Sequence, residues 1–297
     1  MRVATSSFYQ TIQQGLLNRA SELKKIDEKV SSGKNFNRPS DDPISLVSTL
    51  GFRTALSRVE QYSQNLETGT LWLSSSETAI SQASELAKQA EDIANQIGYG
   101  NQTNEIMTQA AAEVSHLLDQ AISLGNTQLA GKYIFAGYRT STAPFSKTIV
   151  GGVETVVYNG DTNDFQIQVG TNEQLTVGKN GQTVFVDSNL FAALENLKQA
   201  ITNNDLPSIR QQAQILQGTE DSLGTQLAEV GIRQNRLKDK QDLLAKWIVN
   251  IQDQISNLEN VNYNKAILEL QQQQTAYEIA LESAAKISQL NLLNFMS

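Results

Sequence analysis

Catalysis needs a base, a nucleophile or a metal held by converging side chains, and this chain offers few of them. Its one histidine, His116, lies beside Leu117 and Leu118 in a helical stretch, and there is no cysteine at all. A catalytic base needs a nucleophile and an orienting partner, and a zinc site needs several His, Cys or carboxylate ligands. His116 has no second His or Cys to work with, so it reads as a structural residue. Disulfides, thiolate metal sites and cysteine nucleophiles are excluded outright. Asp41-Asp42 is a carboxylate pair, and such pairs serve hydrolysis in some enzymes. Pro43 follows directly, and a helix begins there, so the pair reads as helix caps. Gly151-Gly152 might suggest phosphate binding. No G-x-x-x-x-G-K-[ST] occurs, and no G-x-G-x-x-G leads from a strand into a helix, so these are turn glycines. The inventory predicts no enzyme, no cofactor and no metal.

The elements that carry these residues follow from composition and periodicity. Only 39% of the 297 residues are hydrophobic and 6% aromatic. Dry catalytic clefts are usually lined with such side chains, whereas long helices bury one stripe each. The net charge of −8 disfavours a large nucleic-acid surface, which needs a basic face. The N-terminus has no apolar core of signal-peptide length. No run approaches the roughly 18 apolar residues that span a bilayer. No membrane insertion is expected, and export would need a route without a cleaved signal.

Residues 209–258 hold the strongest pattern. Steps of four and three give Ile209, Ala213, Leu216, Glu220, Leu223, Leu227, Val230, Gln234, Leu237, Gln241, Leu244, Ile248, Ile251, Ile255 and Leu258. A 3.5-residue repeat sustained this long is a coiled-coil seam, and the helix would be about 75 Å long at about 1.5 Å per residue. Its polar members, Glu220, Gln234 and Gln241, read more simply as local wetness than as register-setting residues. A second seam, Val59, Leu66, Leu73, Ile80, Ala87 and Ala94, has Ser63, Thr70 and Glu77 between its members. Its helix starts at Asp42-Pro43 and should stop near Gly98 and Gly100. A third helix is expected from Thr103 or Asn104 to about Leu129. The N-terminal helix carries Ile12, Leu16, Arg19, Leu23, Ile26 and Val30, broken only by Arg19, and stops at Ser31-Ser32-Gly33. The C-terminal helix carries Ile267, Leu270, Tyr277, Leu281 and Ala284, with Leu290, Leu292, Leu293 and Phe295 beyond.

Residues 132–187 differ. Val153, Thr155 and Val157 precede Asn159-Gly160-Asp161; then come Phe165, Ile167 and Val169, Leu175 and Val177, and, past Lys179-Asn180-Gly181-Gln182, Val184 and Val186. Period-2 runs divided by Asn-Gly turns predict β-hairpins. The fold class is therefore mainly α: long helices in a coiled-coil or bundle rod, the N- and C-terminal helices paired, with a small antiparallel β-domain inserted in the middle.

The ends differ in charge. Residues 1–40 hold seven basic and three acidic residues, a net +4, and residues 258–297 hold two basic and four acidic, a net −2. Opposite charge suits these amphipathic helices to pairing with each other or with copies. A membrane-surface role for the basic helix ranks lower, because its apolar face lacks Trp.

These segments carry a resemblance. Val30-Ser-Ser-Gly33, continuing to Asn35-Phe-Asn-Arg-Pro39-Ser-Asp-Asp-Pro43, resembles the N-terminal signature of the flagellin superfamily. Its Arg-Pro-Ser-Asp-Asp-Pro form is typical of the hook–filament junction branch. Tyr133-Ile-Phe-Ala-Gly137 with Pro144-Phe145 is similar to that branch's entry into its β domain, and Ala276-Tyr277 through Phe295 to the flagellin-type C-terminal helix.

The resemblance implies a secreted structural subunit of the bacterial flagellum, exported unfolded through the flagellar type III channel. It would form a ring of copies between hook-associated protein 1 and the flagellin filament, and an export chaperone would bind its C-terminal end. Residues 1–40 with 262–297 would form the terminal assembly domain, 41–136 with 188–261 the helical rod, and 137–187 the outer β domain. The expected assembly interface is Ile12, Leu16, Leu23, Ile26, Val30, Leu270, Tyr277, Leu281, Leu290, Leu292 and Leu293; Gly33, Pro39, Asp41, Asp42 and Pro43 form the structural motif. The rivals are a short flagellin building the filament itself and, of another class, an intracellular coiled-coil scaffold.

Overall fold

The computed structural model describes residues 2–100, 102–150 and 153–296, with side chains over 10–100, 102–149 and 154–286. The elements run α1 (Arg2–Ser32), α2 (Pro43–Gly98), α3 (Asn104–Gly125), β1 (Gln128–Leu129), β2 (Lys132–Tyr133), β3 (Phe145–Val150), β4 (Val153–Tyr158), β5 (Gln166–Gly170), β6 (Glu173–Thr176), a π-helical turn at Gln182–Val186, α4 (Leu190–Thr202), α5 (Leu206–Glu259) and α6 (Tyr263–Met296). The chain forms two compact units, Met1–Arg58 with Trp247–Ser297, and Val59–Lys246. The helices α2 and α5 contribute to both.

In the unit Val59–Lys246, α2 and α5 run antiparallel. Both seams are interior: Val59, Leu66, Leu73, Ile80, Ala87 and Ala94 are buried, as are Ile209, Ala213, Leu216, Leu223, Val230, Leu237 and Leu244. The polar seam members meet each other. Gln234 donates to Glu77 at 2.7 Å and Gln241 to Thr70 at 3.2 Å. Both pairs lie seven residues apart on each helix, so they share one register. Both bonds lie at the exposed edge of the seam, in keeping with local wetness, and they match the one register of the buried residues.

The helices α3 and α4 pack on each other. Met107, Val114, Leu117 and Leu118 meet a face holding Leu190, Leu194, Leu197 and Ile201, all buried. His116 points outward and is exposed. The third helix stops at Gly125, short of Leu129. Asn126 ends it by taking a strand's role: its side chain donates to the Phe145 carbonyl and accepts from the Phe145 N–H, each at 2.9 Å. Leu129 then lies in β1.

The middle zone is three two-stranded antiparallel hairpins, β1-β2, β3-β4 and β5-β6. The hairpin turns are not at the Asn-Gly sites. The strand from Val153 pairs backward with Phe145–Val150; Gly151-Gly152 lie outside the described residues. Asn159-Gly160-Asp161 is a connection instead, because its polar groups have local partners. The Asp161 carboxylate accepts from the N–H groups of Tyr138 and Asn163, both at 2.8 Å. Val184 and Val186 are not in a strand. The Asn180 side-chain oxygen accepts from the Thr183 N–H at 2.9 Å and starts a helical turn, which delivers Phe185 into an aromatic cluster. There Phe145 lies 5.5 Å from Phe185, 4.9 Å from Phe191 and 5.2 Å from Tyr158 between ring centroids. Burial pushes the Tyr158 hydroxyl up to about 12.

The β5-β6 hairpin lies on the helices. Phe165 stacks on Trp72 at 4.6 Å, and Asp164 pairs with Arg233 at 3.0 Å. Lys179, almost fully buried, reaches Gln226 and Glu229. Gly69 permits the close approach: a Cβ there would lie 2.7 Å from Ile167 Cδ1 and 2.9 Å from Val177 Cγ1.

Candidate functional site

The residues singled out from sequence gather in the unit Met1–Arg58 with Trp247–Ser297. Its connector, residues 33–42, joins α1 to α2 and is built by small polar residues. Gly33 ends α1 with φ +71°, a left-handed conformation that suits glycine. A Cβ at Gly33 would also sit 2.6 Å from the Tyr263 hydroxyl oxygen. The Arg38 carbonyl accepts from the Asp41 N–H at 3.0 Å, closing a turn with Pro39 at its second position, where proline's fixed φ fits.

The two aspartates divide the work. The Asp42 carboxylate accepts from the Ser45 N–H at 3.0 Å and caps α2, with Pro43 at the first helical position. The Asp41 carboxylate faces the other way and accepts from the N–H groups of Asn37 (3.1 Å) and Arg38 (2.9 Å). Asp41 therefore closes the connector, and only Asp42 caps a helix. Donated backbone hydrogen bonds hold both carboxyls below the usual carboxylate range, from Asn37 and then Arg38 for Asp41, and from Ser45 for Asp42.

The connector is stitched to the α5–α6 link. Asn35 N–H donates to the Glu259 carbonyl at 2.8 Å, and Val261 N–H donates to the Gly33 carbonyl at 2.9 Å. The Asn35 side-chain amide reaches the carbonyls of Leu258 (3.2 Å) and Asn260 (2.9 Å). Glu259, a buried carboxylate, pairs with Lys34 and, at 2.7 Å, with Arg53. The Lys34 ammonium holds the Glu259 carboxyl low, against the opposing effect of burial and with help from Arg53. Sequence reasoning missed Glu259 and Arg53, since nothing in the chain marks two residues so far apart as partners.

Against this clamp the terminal helices α1 and α6 pack on each other. Ile12, Leu16, Leu23, Ile26 and Val30 are all half-buried. The apparent break at Arg19 is filled by Ala20, one position on, while Arg19 is exposed and pairs with Glu22 at 3.3 Å. On α6, Leu270, Ala276, Tyr277, Ala280 and Ala284 are half-buried, and Leu281 is 43% exposed. The side chains of Leu290, Leu292 and Leu293 lie outside the described residues. Apart from Ala266, no described side chain of α1 or α6 is buried. Two amphipathic helices alone leave much of each stripe wet. Among the described residues no group of three His, Asp or Glu converges to hold a metal ion, and no helix is long and apolar enough to cross a membrane.

Polar clamps joining distant ends of the chain and a half-covered helical pair define a helical subunit with no catalytic constellation among its described residues. Comparison with known proteins gives that class a family. Residues 3–140 match the bacterial flagellin N-terminal helical region, and residues 213–296 match the bacterial flagellin C-terminal helical region. The chain belongs to the flagellin superfamily. It is 27% identical to flagellar hook-associated protein 3 of Escherichia coli (strain K12), over 98% of each chain. It is 22% identical to a flagellar filament 30.7 kDa core protein of Treponema maltophilum, again over 98% of each. The crystal structure of Bacillus cereus FlgL shares the fold, with a TM-score of 0.58 at 19% identity, covering 69% of this chain and 99% of that one. The chain is thus a structural, non-enzymatic subunit of the bacterial flagellum that self-assembles in the axial structure.

Proposed function

We propose that this subunit is the junction piece between hook-associated protein 1 and the flagellin filament, assembling as a ring of copies through its terminal helices. One observation carries the assembly mechanism: α1 and α6 pair, yet among their described side chains only Ala266 is buried. Fully burying a Leu or Ile side chain gains about 1.5–3 kcal/mol, and much of that remains ungained in the single chain. Neighbouring copies supply the missing cover, so ordering of the ends and assembly are one event. The higher identity to hook-associated protein 3 than to the filament core protein favours the junction over a filament role.

In this reading residues 1–40 with 262–297 are the assembly domain, 41–136 with 188–261 the rod, and 137–187 an outer β-rich part. The interface is formed by Ile12, Leu16, Leu23, Ile26, Val30, Leu270, Tyr277, Leu281, Leu290, Leu292 and Leu293. Export proceeds unfolded and without a cleaved signal, and a chaperone covers the C-terminal helix beforehand. Immunogold labelling tests the location: signal confined to the hook–filament boundary is expected, and signal along the whole filament would overturn the junction role. Leu23→Asp or Ile26→Asp should abolish incorporation while the unit Val59–Lys246 melts as in the parent; normal incorporation would refute the assembly mechanism.

A further inference from the structure

Of the interface residues read from sequence, Ile12, Leu16, Leu23, Ile26, Val30, Leu270 and Tyr277 are half-buried, whereas Leu281 is exposed. The outward surfaces of the same unit carry a second pattern. On the first turns of α2, Ile44, Val47, Gly51, Thr54 and Arg58 follow each other at steps of three and four, so they share one face, and all are exposed. Ile44 is 80% and Val47 69% exposed, unusual for large aliphatics on a helix of known packing. Gly51 has nothing within 4 Å of where a Cβ would stand. A mid-helix glycine costs about 1 kcal/mol relative to alanine; Gly15, Gly218, Gly224 and Gly231 are equally open, so Gly51 leaves room for a close neighbour without by itself marking one.

A matching stripe lies on α6. Leu268, Gln272, Thr275, Ile279 and Glu282 also step by four and three and are exposed, Leu268 at 60% and Ile279 at 58%. Each stripe covers fourteen residue steps, about 21 Å at 1.5 Å per residue. Their charges differ in sign, although Arg53 already pairs with Glu259, Glu269 with Lys265 and Glu282 with Lys286, so that docking would have Arg58 compete with Lys286 for Glu282. Residues 43–58 of α2 include Arg53 and Arg58 and no acid, whereas residues 268–282 of α6 include Glu269, Glu278 and Glu282 and no base. Laid parallel, Ile44 falls at Leu268, Gly51 at Thr275, and Arg58 at Glu282. Laid antiparallel, Arg58 falls on Leu268 and Glu282 on Ile44, which strands both charges on apolar partners. Heptad spacing on both sides, with a glycine to admit the opposing helix closely, is what helix-on-helix docking requires.

We propose that the occupant of the α2 face is the outward stripe of α6 from a second copy of this chain, lying parallel, with Ile44 against Leu268, Thr54 against Ile279 and Arg58 against Glu282. The inference rests on the assembly reading above and names the surfaces that join one copy to the next. Each subunit offers one stripe and accepts the other, so the contact is heterologous and propagates around a ring or helix of copies.

The natural chain has no cysteine, so introduced thiols report without background. Full-length Thr54→Cys and Ile279→Cys chains are expressed together in cells lacking their own copy of the gene, and isolated flagella are mildly oxidised. A disulfide-linked dimer should form at least about tenfold more when both variants are present than with either alone. Val47→Cys with Ile279→Cys, the antiparallel pair, should give only the single-variant background. As a second measurement, Arg58→Glu or Glu282→Arg should each cut incorporation several-fold, and the chain carrying both should recover it. Normal incorporation of every variant with no Thr54–Ile279 dimer would overturn the proposal and leave the assembly reading intact. Failure of the unaltered chain itself to enter the flagellum would instead overturn the assembly reading. A dimer from the antiparallel pair alone would also overturn the proposal.

Discussion

Gly69 and Gly224 lie inside long helices, and helix propensity alone makes the same prediction for both: replacement by alanine stabilises by about 1 kcal/mol. The structure separates them. Nothing lies within 4 Å of a Cβ at Gly224, so Gly224→Ala should gain about 0.5–1 kcal/mol. At Gly69 the added methyl would meet Ile167 Cδ1 at 2.7 Å, Val177 Cγ1 at 2.9 Å and Leu237 Cδ2 at 3.1 Å. Ile167 Cδ1 ends a flexible arm and can swing away. Val177 Cγ1 is attached directly to a branched Cβ, and Val177 is fully buried, so it yields only if the backbone just after β6, bonded to the Phe165 carbonyl, shifts. Overpacking a tight core costs about 1–3 kcal/mol, which outweighs the helix gain. Gly69→Ala should therefore be neutral to destabilising by about 2 kcal/mol, and less stable than Gly224→Ala by about 1–3 kcal/mol. Urea unfolding followed by Trp72 fluorescence, in a Trp247→Phe background, reports on this unit, because Trp72 stacks on Phe165 beside the contact. Equal stabilisation by both substitutions would mean that the β5-β6 hairpin does not press on α2, and the close packing described for this unit would be wrong.

Asp41, Asp42 and Glu259 have carboxyls held low in the folded chain, so their contribution is present above the ordinary carboxylate range and lost as pH falls through it. Carboxyl-carbon NMR titration should place Asp41 and Asp42 below 3.8 and Glu259 below 4.5, and ordinary values at all three would refute the connector's hydrogen bonding. Asn126→Ala removes both bonds to the Phe145 backbone and should lower the stability of the unit Val59–Lys246 by about 1–3 kcal/mol, read by urea unfolding. Replacing Glu77 and Gln234 together by leucine should change stability by no more than about 1 kcal/mol, because the bond between them is exposed; a large loss in urea unfolding would contradict that placement.

The rod was legible because its seams repeat every 3.5 residues over many turns, a pattern nothing else in a sequence mimics. The half-buried stripe of α1 was legible for the same reason, although Ala20 rather than Arg19 completes it. The motif from Gly33 to Pro43 was legible as a stop, a turn and a cap, and Asp42 caps as its position before Pro43 implied. What escaped the sequence depends on partners distant in the chain. The Glu259 clamp joins residues more than two hundred positions apart, and no local pattern encodes it. Asn126 replaces a strand with one side chain, so α3 stops before its apolar periodicity does. Val184 and Val186 look like a strand because branched residues favour one, yet the Asn180 side chain and the aromatic cluster around Phe145 outweigh that preference. The outward stripes of α2 and α6 follow the heptad rule too, but seams pointing inward and outward look alike until burial tells them apart.

The contrast between the two units bears on how the subunit enters the flagellum. In the central unit the seam side chains are fully or nearly buried within one chain, so that unit holds its fold by itself. In the terminal unit the same kind of stripe is only half-covered. Ordering a residue's backbone costs about 1–2 kcal/mol, and half-burying one aliphatic side chain per helical turn does not offset that over the three to four residues of the turn. The connector clamp lowers the cost by holding α1 beside the start of α6, so that one neighbour's contact orders both helices together. In the assembly mechanism proposed above, free energy that a self-sufficient domain would gain on folding is released on addition of the next copy. A charge placed in the α1 stripe should accordingly weaken addition strongly and leave the melting of the central unit unmoved, whereas a cavity in the α2–α5 seam should do the reverse.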